Sequence, residues 1–177
     1  MQMNVFDAIQ KRREITQFQK KKVPKAELEL LLDAGYLAPS GNNLPSKELV
    51  LVTNLEMLHH LSKTTPYVQW LENSSAAIVV LGRPEVSKYW LQDTSIACGF
   101  IWLEAVEVGL GAAFGAVYHA EDNNESKVRE DHVRAALGIP EDRRVVAILG
   151  VGYPEKEPEA KKLLPRDTVV HYENFPR

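Results

Sequence analysis

Cysteine is nearly absent from this chain. Cys98 is the one thiol in 177 residues, so no internal disulfide can form, and a reducing compartment suits the protein. Long apolar runs are missing too: no stretch approaches the roughly 18 residues that a membrane helix requires. Met1 to Arg13 also lacks the apolar core of a secretion signal. Neither sign of charge dominates. The 21 lysines and arginines face 24 aspartates and glutamates, for a net charge of −3, which leaves no global basic field for nucleic acid. The histidines, His59, His60, His119, His132 and His171, show no metal-ligand spacing, and neither H-E-x-x-H nor a cysteine pair occurs. No G-x-S-x-G elbow supports a serine hydrolase. These absences predict a cytoplasmic globular protein that binds neither nucleic acid nor membrane, with Cys98 a buried, inert thiol.

What is present is ordinary in amount and ordered in arrangement. Hydrophobic residues make up 45% and charged residues 25%, with ten glycines and ten prolines; this is one folded domain, not a disordered or low-complexity chain. Asn4 caps a first helix carrying Val5, Phe6 and Ile9 on one face. Pro24 starts a second helix, in which Leu28, Leu31, Leu32 and Tyr36 recur at helical spacing. A polar loop, Ala38 to Ser46, holds two prolines, Gly41 and two asparagines and cannot be a helix. Leu49 to Val52 reads as a buried strand, and Asn54 caps a short helix with Leu55, Leu58 and Leu61. Ala76 to Leu81 is a second buried strand.

The most apolar helix follows, from about Asp93 to Val108. Ile96, Ala97, Phe100, Ile101, Leu103, Ala105 and Val106 cover most of its circumference, which places it centrally in a core or between subunits. Ala112 to Tyr118 and Val145 to Val151 are further strands. Between them, residues 124–137 form a polar amphipathic helix closed by Gly138, with Pro140 just after. Gly109, Gly111 and Gly115 are not a dinucleotide fingerprint, because they follow a helix and precede a strand. A Rossmann turn needs the reverse order, so that phosphate meets a helix N-terminus. Helices and strands mix along the whole chain, so the fold class is an α+β sandwich.

The last 25 residues, Tyr153 to Arg177, hold four of the ten prolines, five basic and five acidic side chains and the short apolar pair Val169-Val170. Such a tail cannot build a core of its own. It is either disordered or an arm lying on another surface, most economically a second copy of the chain. The arm is the better reading, because it covers Val169-Val170 and Tyr172-Phe175.

Two segments offer binding chemistry. Arg12 and Arg13 end the first helix beside Thr16. Paired arginines there either complement the helix dipole or grip a phosphate through forked, charge-assisted hydrogen bonds. The loop Pro39-Ser40-Gly41-Asn42-Asn43 is either a plain connection or a set of short polar groups suited to a heterocycle or phosphate ester.

Together, in order and spacing, these segments resemble the nitroreductase family of FMN-dependent oxidoreductases. RREITQF (Arg12 to Phe18) is similar to that family's opening RRSxRxF. APSGNNLPSKEL (Ala38 to Leu49) is similar to APSSxNxQPWxF, and VGLGAAFGAVY (Val108 to Tyr118) stands where the family's central helix ends in LGLG. LGIPEDRRVVAILGVGYPEKEP (Leu137 to Pro158) and VVHYENF near the end also follow the family's pattern, so the likeness spans nearly the whole chain. The resemblance implies a single domain over 1–177 with a central, mostly antiparallel sheet flanked by helices. It further implies a homodimer whose C-terminal arms, residues 153–177, are exchanged, with FMN in clefts at the interface.

By the same resemblance Arg12, Arg13, Glu14 and Thr16 lie at the cofactor's phosphate and ribityl chain. Pro39, Ser40, Gly41 and Asn43 reach the flavin from the partner subunit, Gly115 and Ala116 pass near its ring edge, and Lys161 is a late basic phosphate ligand. Glu14 stands where the family has serine, Thr16 where it has a second basic residue, and Leu163 where it has a late arginine. The implied activity moves hydride from NAD(P)H through FMN to a nitroaromatic, quinone or similar small-molecule acceptor. The alternatives are a flavin-dependent dehydrogenase or dehalogenase of one specific substrate, and a non-catalytic binding protein with weakened FMN affinity. No protein nucleophile and no metal are required.

Overall fold

Residues 3–175 are described by a computed structural model. Asn4 caps α1 (Val5–Lys11) by accepting a hydrogen bond from the Asp7 backbone N–H. Of this short helix only Ala8 is buried; Val5, Phe6 and Ile9 face outward. Helix α2 (Lys25–Leu37) begins one residue after Pro24, which is its N-cap. Leu28 and Leu31 are buried, whereas Tyr36 at the same spacing is exposed, since it lies at the helix end beyond the sheet. A single turn, Gly41–Asn43, interrupts the polar loop before β1 (Lys47–Val52). Helix α3 (Leu55–Leu61), capped by Asn54, and β2 (Ala76–Gly82) follow.

Helix α4 (Trp90–Glu107) starts three residues before the expected Asp93. Strand β3 (Gly111–Ala116) stops short of Tyr118, because the N–H groups of Val117 and Tyr118 both turn to the one carbonyl of Val146 and end the ladder. Helix α5 (Asn123–Leu137) closes on Gly138, whose φ of 66° is the left-handed conformation that favours glycine there. Strand β4 (Arg144–Gly152) completes the sheet.

The sheet order is β1-β2-β4-β3, and every pair is antiparallel. Alternate residues of β2 feed two cores, as strand geometry requires. Ala76, Ile78 and Val80 pack with Leu28, Leu31, Ile101 and Ala105 of α2 and α4. Ala77, Val79 and Leu81 pack with Leu58, Leu61 and Val133 on the side of α3 and α5. The result is a three-layer α+β sandwich with a fully buried central pair, β2 and β4. Strands β1 and β3 are the edges. The edge of β3 is covered by residues 14–15, where the Ile15 N–H donates to the Ala112 carbonyl at 3.0 Å.

The tail divides in two. Its first residues hold to their own protomer: Gln19 N–H donates to Tyr153 O at 2.8 Å, Glu155 N–H to Gln17 O at 3.0 Å, and Arg13 reaches Glu159 O. Tyr153, Glu155 and Glu159, the first part of the expected arm, are thus bonded to their own chain. Beyond that point Leu163, Leu164, Val169, Tyr172 and Phe175 are all exposed; the last two residues of the expected arm lie outside the described range. Helix α4 shows a matching feature, for Ile96 and Phe100 lie on its exposed face, opposite buried Ala97, Cys98 and Ile101. Among the described residues no helix is long and apolar enough to cross a membrane.

Candidate functional site

Arg12 is the C-cap of α1, its backbone N–H still bonded to Ala8 O. Its guanidinium lies over the indole of Trp102, with Cζ 4.5 Å from the ring centroid. Trp102 in turn stacks on Phe114 of β3, with centroids 6.2 Å apart and planes within 15°. The Trp102 Nε1–H donates to the Arg13 carbonyl at 3.1 Å. Helix α4 thus fixes both the side chain of Arg12 and the backbone that follows it. Among the described residues no carboxylate lies within ion-pair distance of Arg12 and none of its five N–H donors has a hydrogen-bond partner. A half-buried guanidinium held against an aromatic face with its fork free is ready for an anion.

The neighbouring residues are used differently. Arg13 donates from Nε to Glu159 O at 3.0 Å and from Nη1 to Gln10 O and Arg12 O, each at 2.8 Å. It therefore works as a staple between α1 and the tail. Glu14 turns its Oε1 onto the Phe114 N–H at 3.4 Å, so its carboxylate faces the strand. Thr16 opens onto a separate groove of about 690 Å³ that Lys20, Lys21 and Lys22 also line. Lys161 is exposed. It stands two residues past the Glu159 carbonyl that Arg13 holds, and none of the described hydrogen bonds or ion pairs involves its ammonium.

On β3, Gly115 is required by packing, since a Cβ there would come within 2.7 Å of Val68 Cγ1. Ala116 is exposed. The Ala112 carbonyl and the Phe114 N–H both point to the outer edge of the sheet. By the two-residue alternation of a strand, the N–H and C=O of Ala116 point there too.

The Pro39–Asn43 loop is built at the other end of the molecule. Buried Asp93 near the start of α4 accepts from Gly41 N–H at 2.9 Å through Oδ1 and from the Ser46 hydroxyl at 2.5 Å through Oδ2. Lys47 caps the Ala38 carbonyl from 2.6 Å; burial pushes its ammonium down from the usual lysine range, partly offset by the nearby Asp93. Asn42 and Asn43 take left-handed φ values of 56° and 55°, a conformation asparagine tolerates, and both are exposed. The Ser40 hydroxyl donates to Leu44 O.

The loop and the arginines do not meet within one chain. The loop precedes β1 and the arginines cover β3, at opposite edges of the sheet. Their anchors on α4, Asp93 and Trp102, are nine residues apart, or about 14 Å along the axis.

Asp93 and Trp102 are the residues sequence reasoning missed. Asp93 reads as an ordinary first-turn acid, and Trp102 as one more apolar residue of a central helix. Cys98, by contrast, is placed as expected: it is buried, and burial pushes its thiol up to about 12. For Asp93 the expected outcome of Asp93→Ala is a loss of about 3 kcal/mol of stability, because two donors lose a charged acceptor. Faster hydrogen exchange at Gly41 checks the cause; unchanged exchange there would show that the loop holds itself.

The nitroreductase family model matches residues 9–65 and 57–153, and the chain belongs to that family. A protein of Methanothermobacter thermautotrophicus assigned as NADH dehydrogenase/NAD(P)H nitroreductase is 32% identical, over 98% of this chain and 88% of its own length. Among solved structures, an FMN-dependent nitroreductase of Clostridium difficile superposes with a TM-score of 0.85 at 32% identity, covering 95% of this chain and 98% of that one. The NADPH:FMN oxidoreductase of Vibrio harveyi, at 22% identity and a TM-score of 0.82, covers 99% of this chain and 79% of its own; that likeness is one of fold.

Proposed function

We propose that the protein is an FMN-dependent oxidoreductase that takes reducing equivalents from NAD(P)H and delivers them to a nitroaromatic, quinone or similar small acceptor. The observation that carries this reading is the free Arg12 fork over Trp102, set beside an edge strand in a chain 32% identical to an FMN-dependent nitroreductase. The residues present fit the cofactor. Arg12 supplies cationic donors for a phosphate ester. Glu14 does not oppose them, since its carboxylate is turned onto the Phe114 N–H. The outer edge of β3 presents the Ala116 N–H as a fixed backbone donor, which can stabilise negative charge on a ring beside it without reorganising.

Bound FMN supplies reversible two-electron chemistry. The chain's own contribution is to bind, orient and shield. Arg12 anchors one end of the ligand. Asn43, on a turn that Asp93 pins through the Gly41 N–H, offers a short polar side chain from a loop that reaches a neighbour. That neighbour is a second copy of the chain. A two-fold axis that packs the exposed Ile96 and Phe100 face of α4 against its own copy runs the two helices antiparallel. It thereby sets the Asp93 end of one beside the Trp102 end of the other. Such a homodimer reunites the loop and the arginines, and the arms beyond Glu159 gain a surface to cover. The lone cysteine favours a reducing compartment, the cytoplasm.

The purified protein is therefore expected to be yellow and to bleach with NADH or NADPH. Arg12→Ala is expected to raise the FMN dissociation constant ten- to a hundredfold, as the loss of a hydrogen bond to a charged group of about 1.5–3 kcal/mol implies. Lys21→Ala is the control, because its ammonium lies 3.7 Å over the Tyr153 ring, away from Arg12. Equal flavin retention by the two variants in gel filtration would return Arg12 to the role of a helix-end charge.

A further inference from the structure

We propose that Trp102 is a positioning residue that gives the site its preference for a phosphorylated flavin, acting through Arg12. The inference rests on the reading that Arg12 meets the FMN phosphate. It goes beyond that reading by assigning the discrimination to a residue on a different element, 90 positions away in sequence.

Three observations converge on the indole. Its face carries the Arg12 guanidinium, 4.5 Å from centroid to Cζ. Its Nε1–H holds the Arg13 carbonyl at 3.1 Å. Its other surroundings are rigid, for it stacks on Phe114, whose backbone N–H is itself held by Glu14. A free arginine at a helix end samples many rotamers and must be ordered when a ligand binds. Here the ordering is done beforehand by a column running Arg12, Trp102, Phe114 from α1 through α4 to β3. A cation spread over an aromatic face also keeps its N–H edge available, whereas a carboxylate partner would consume it. Glu14, two residues from Arg12, is turned onto the Phe114 N–H, and Glu107 accepts from Met3 N–H at 3.3 Å; neither pairs with Arg12. Trp102 therefore leaves a charged fork aimed and unpaired, and only a ligand carrying an anion profits from it.

Riboflavin shares the ring and ribityl chain of FMN but lacks the phosphate. The ratio of the two dissociation constants, measured by flavin fluorescence titration, isolates the phosphate end. Trp102→Leu is expected to lower the preference for FMN over riboflavin about tenfold while leaving riboflavin affinity within about twofold. The same substitution made in Arg12→Ala protein is expected to leave the ratio unchanged, because the residue through which it acts is gone. A loss of preference that persists in the Arg12→Ala background overturns the proposal. So does an unchanged ratio in Trp102→Leu when Arg12→Ala alone abolishes the preference; in that case Arg12 still binds the phosphate. If Arg12→Ala also leaves the ratio untouched, the phosphate reading itself falls. Trp102→Phe keeps a ring under Arg12 and loses only the N–H to Arg13, so it serves if the leucine variant does not fold. Its ratio is expected to drop about threefold, and an unchanged ratio there overturns the proposal equally.

Discussion

Glu130→Ala is expected to cost about 3–5 kcal/mol of stability, the usual result of breaking one side of a buried ion pair, and to lower the melting temperature by roughly 6–20 °C. Glu130 is 1% exposed and satisfied on every side. It accepts from the Ser126 hydroxyl at 2.9 Å, from Arg134 Nη2 at 2.9 Å, from Arg144 Nη2 at 2.7 Å and from Val145 N–H at 2.9 Å. The carboxylate joins α5 to the start of β4. Removing it leaves two guanidinium groups and a backbone N–H without their acceptor. Arg144 also spans the Tyr118 and Trp90 rings, at 4.7 and 5.6 Å, so the loss spreads to the end of β3 and the start of α4. A thermal melt unchanged within a degree or two would show that the arginines find other acceptors.

The same carboxylate gives the fold a pH dependence whose sign is fixed. Burial pushes the Glu130 carboxyl up, but hydrogen bonds from Arg144, Val145 and Ser126 outweigh it and hold the group below the ordinary carboxylate range. A group depressed in the folded state contributes stability above its unfolded value, about 4.3 for glutamate, and loses it as pH falls through the lower folded value. Wild-type protein is therefore expected to lose stability below about pH 4.3, and Glu130→Gln to show a flatter profile through that window. Parallel urea melts from neutral to acid pH measure the difference. Coincident slopes for the two proteins would place the acid sensitivity elsewhere.

The elements were legible because their signals are local. Asn4 and Asn54 cap the helices that their positions predict, and Gly138 ends α5, since a cap is decided within four residues of chain. The buried strands β2 and β4 announce themselves as runs of Val, Ile, Leu and Ala. Boundaries shifted where tertiary bonding decided them, as at Tyr118, whose N–H turns to Val146 instead of extending β3. The candidate binding segments stood out as residue types, the resemblance suggested their roles, and their geometry was not legible at all. Nothing local links Arg12 to Trp102 or Gly41 to Asp93, because both pairs are made by α4 crossing the sheet. Nor does sequence separate the free fork of Arg12 from the fully employed Arg13 beside it. That difference depends on a carbonyl at Glu159, 146 residues downstream of Arg13.

On the proposed homodimer, deleting residues 160–177 is expected to leave a folded monomer and to abolish tight flavin binding. The cut spares the part of the tail that the protomer uses for itself, namely Tyr153 and Glu155 beside residues 17–19 and the Glu159 carbonyl under Arg13. What is removed carries Leu163, Leu164, Val169, Tyr172 and Phe175, each more than 60% exposed on a single chain. Covering such side chains contributes about 1.5–3 kcal/mol apiece for the aliphatic and phenyl groups. A symmetric dimer has two arms, so losing them weakens association by about a thousandfold or more even after the entropy of ordering is offset. Flavin binding falls with it on the proposed arrangement, since the Pro39–Asn43 loop of one copy and Arg12 of the other no longer meet. Light scattering gives the mass, far-ultraviolet circular dichroism the fold, and flavin fluorescence the binding. A truncated protein that remains a dimer with undiminished FMN affinity would show that the α4 face suffices and that the arm is not part of the interface. One that is monomeric yet still binds FMN tightly would place the whole site within a single chain.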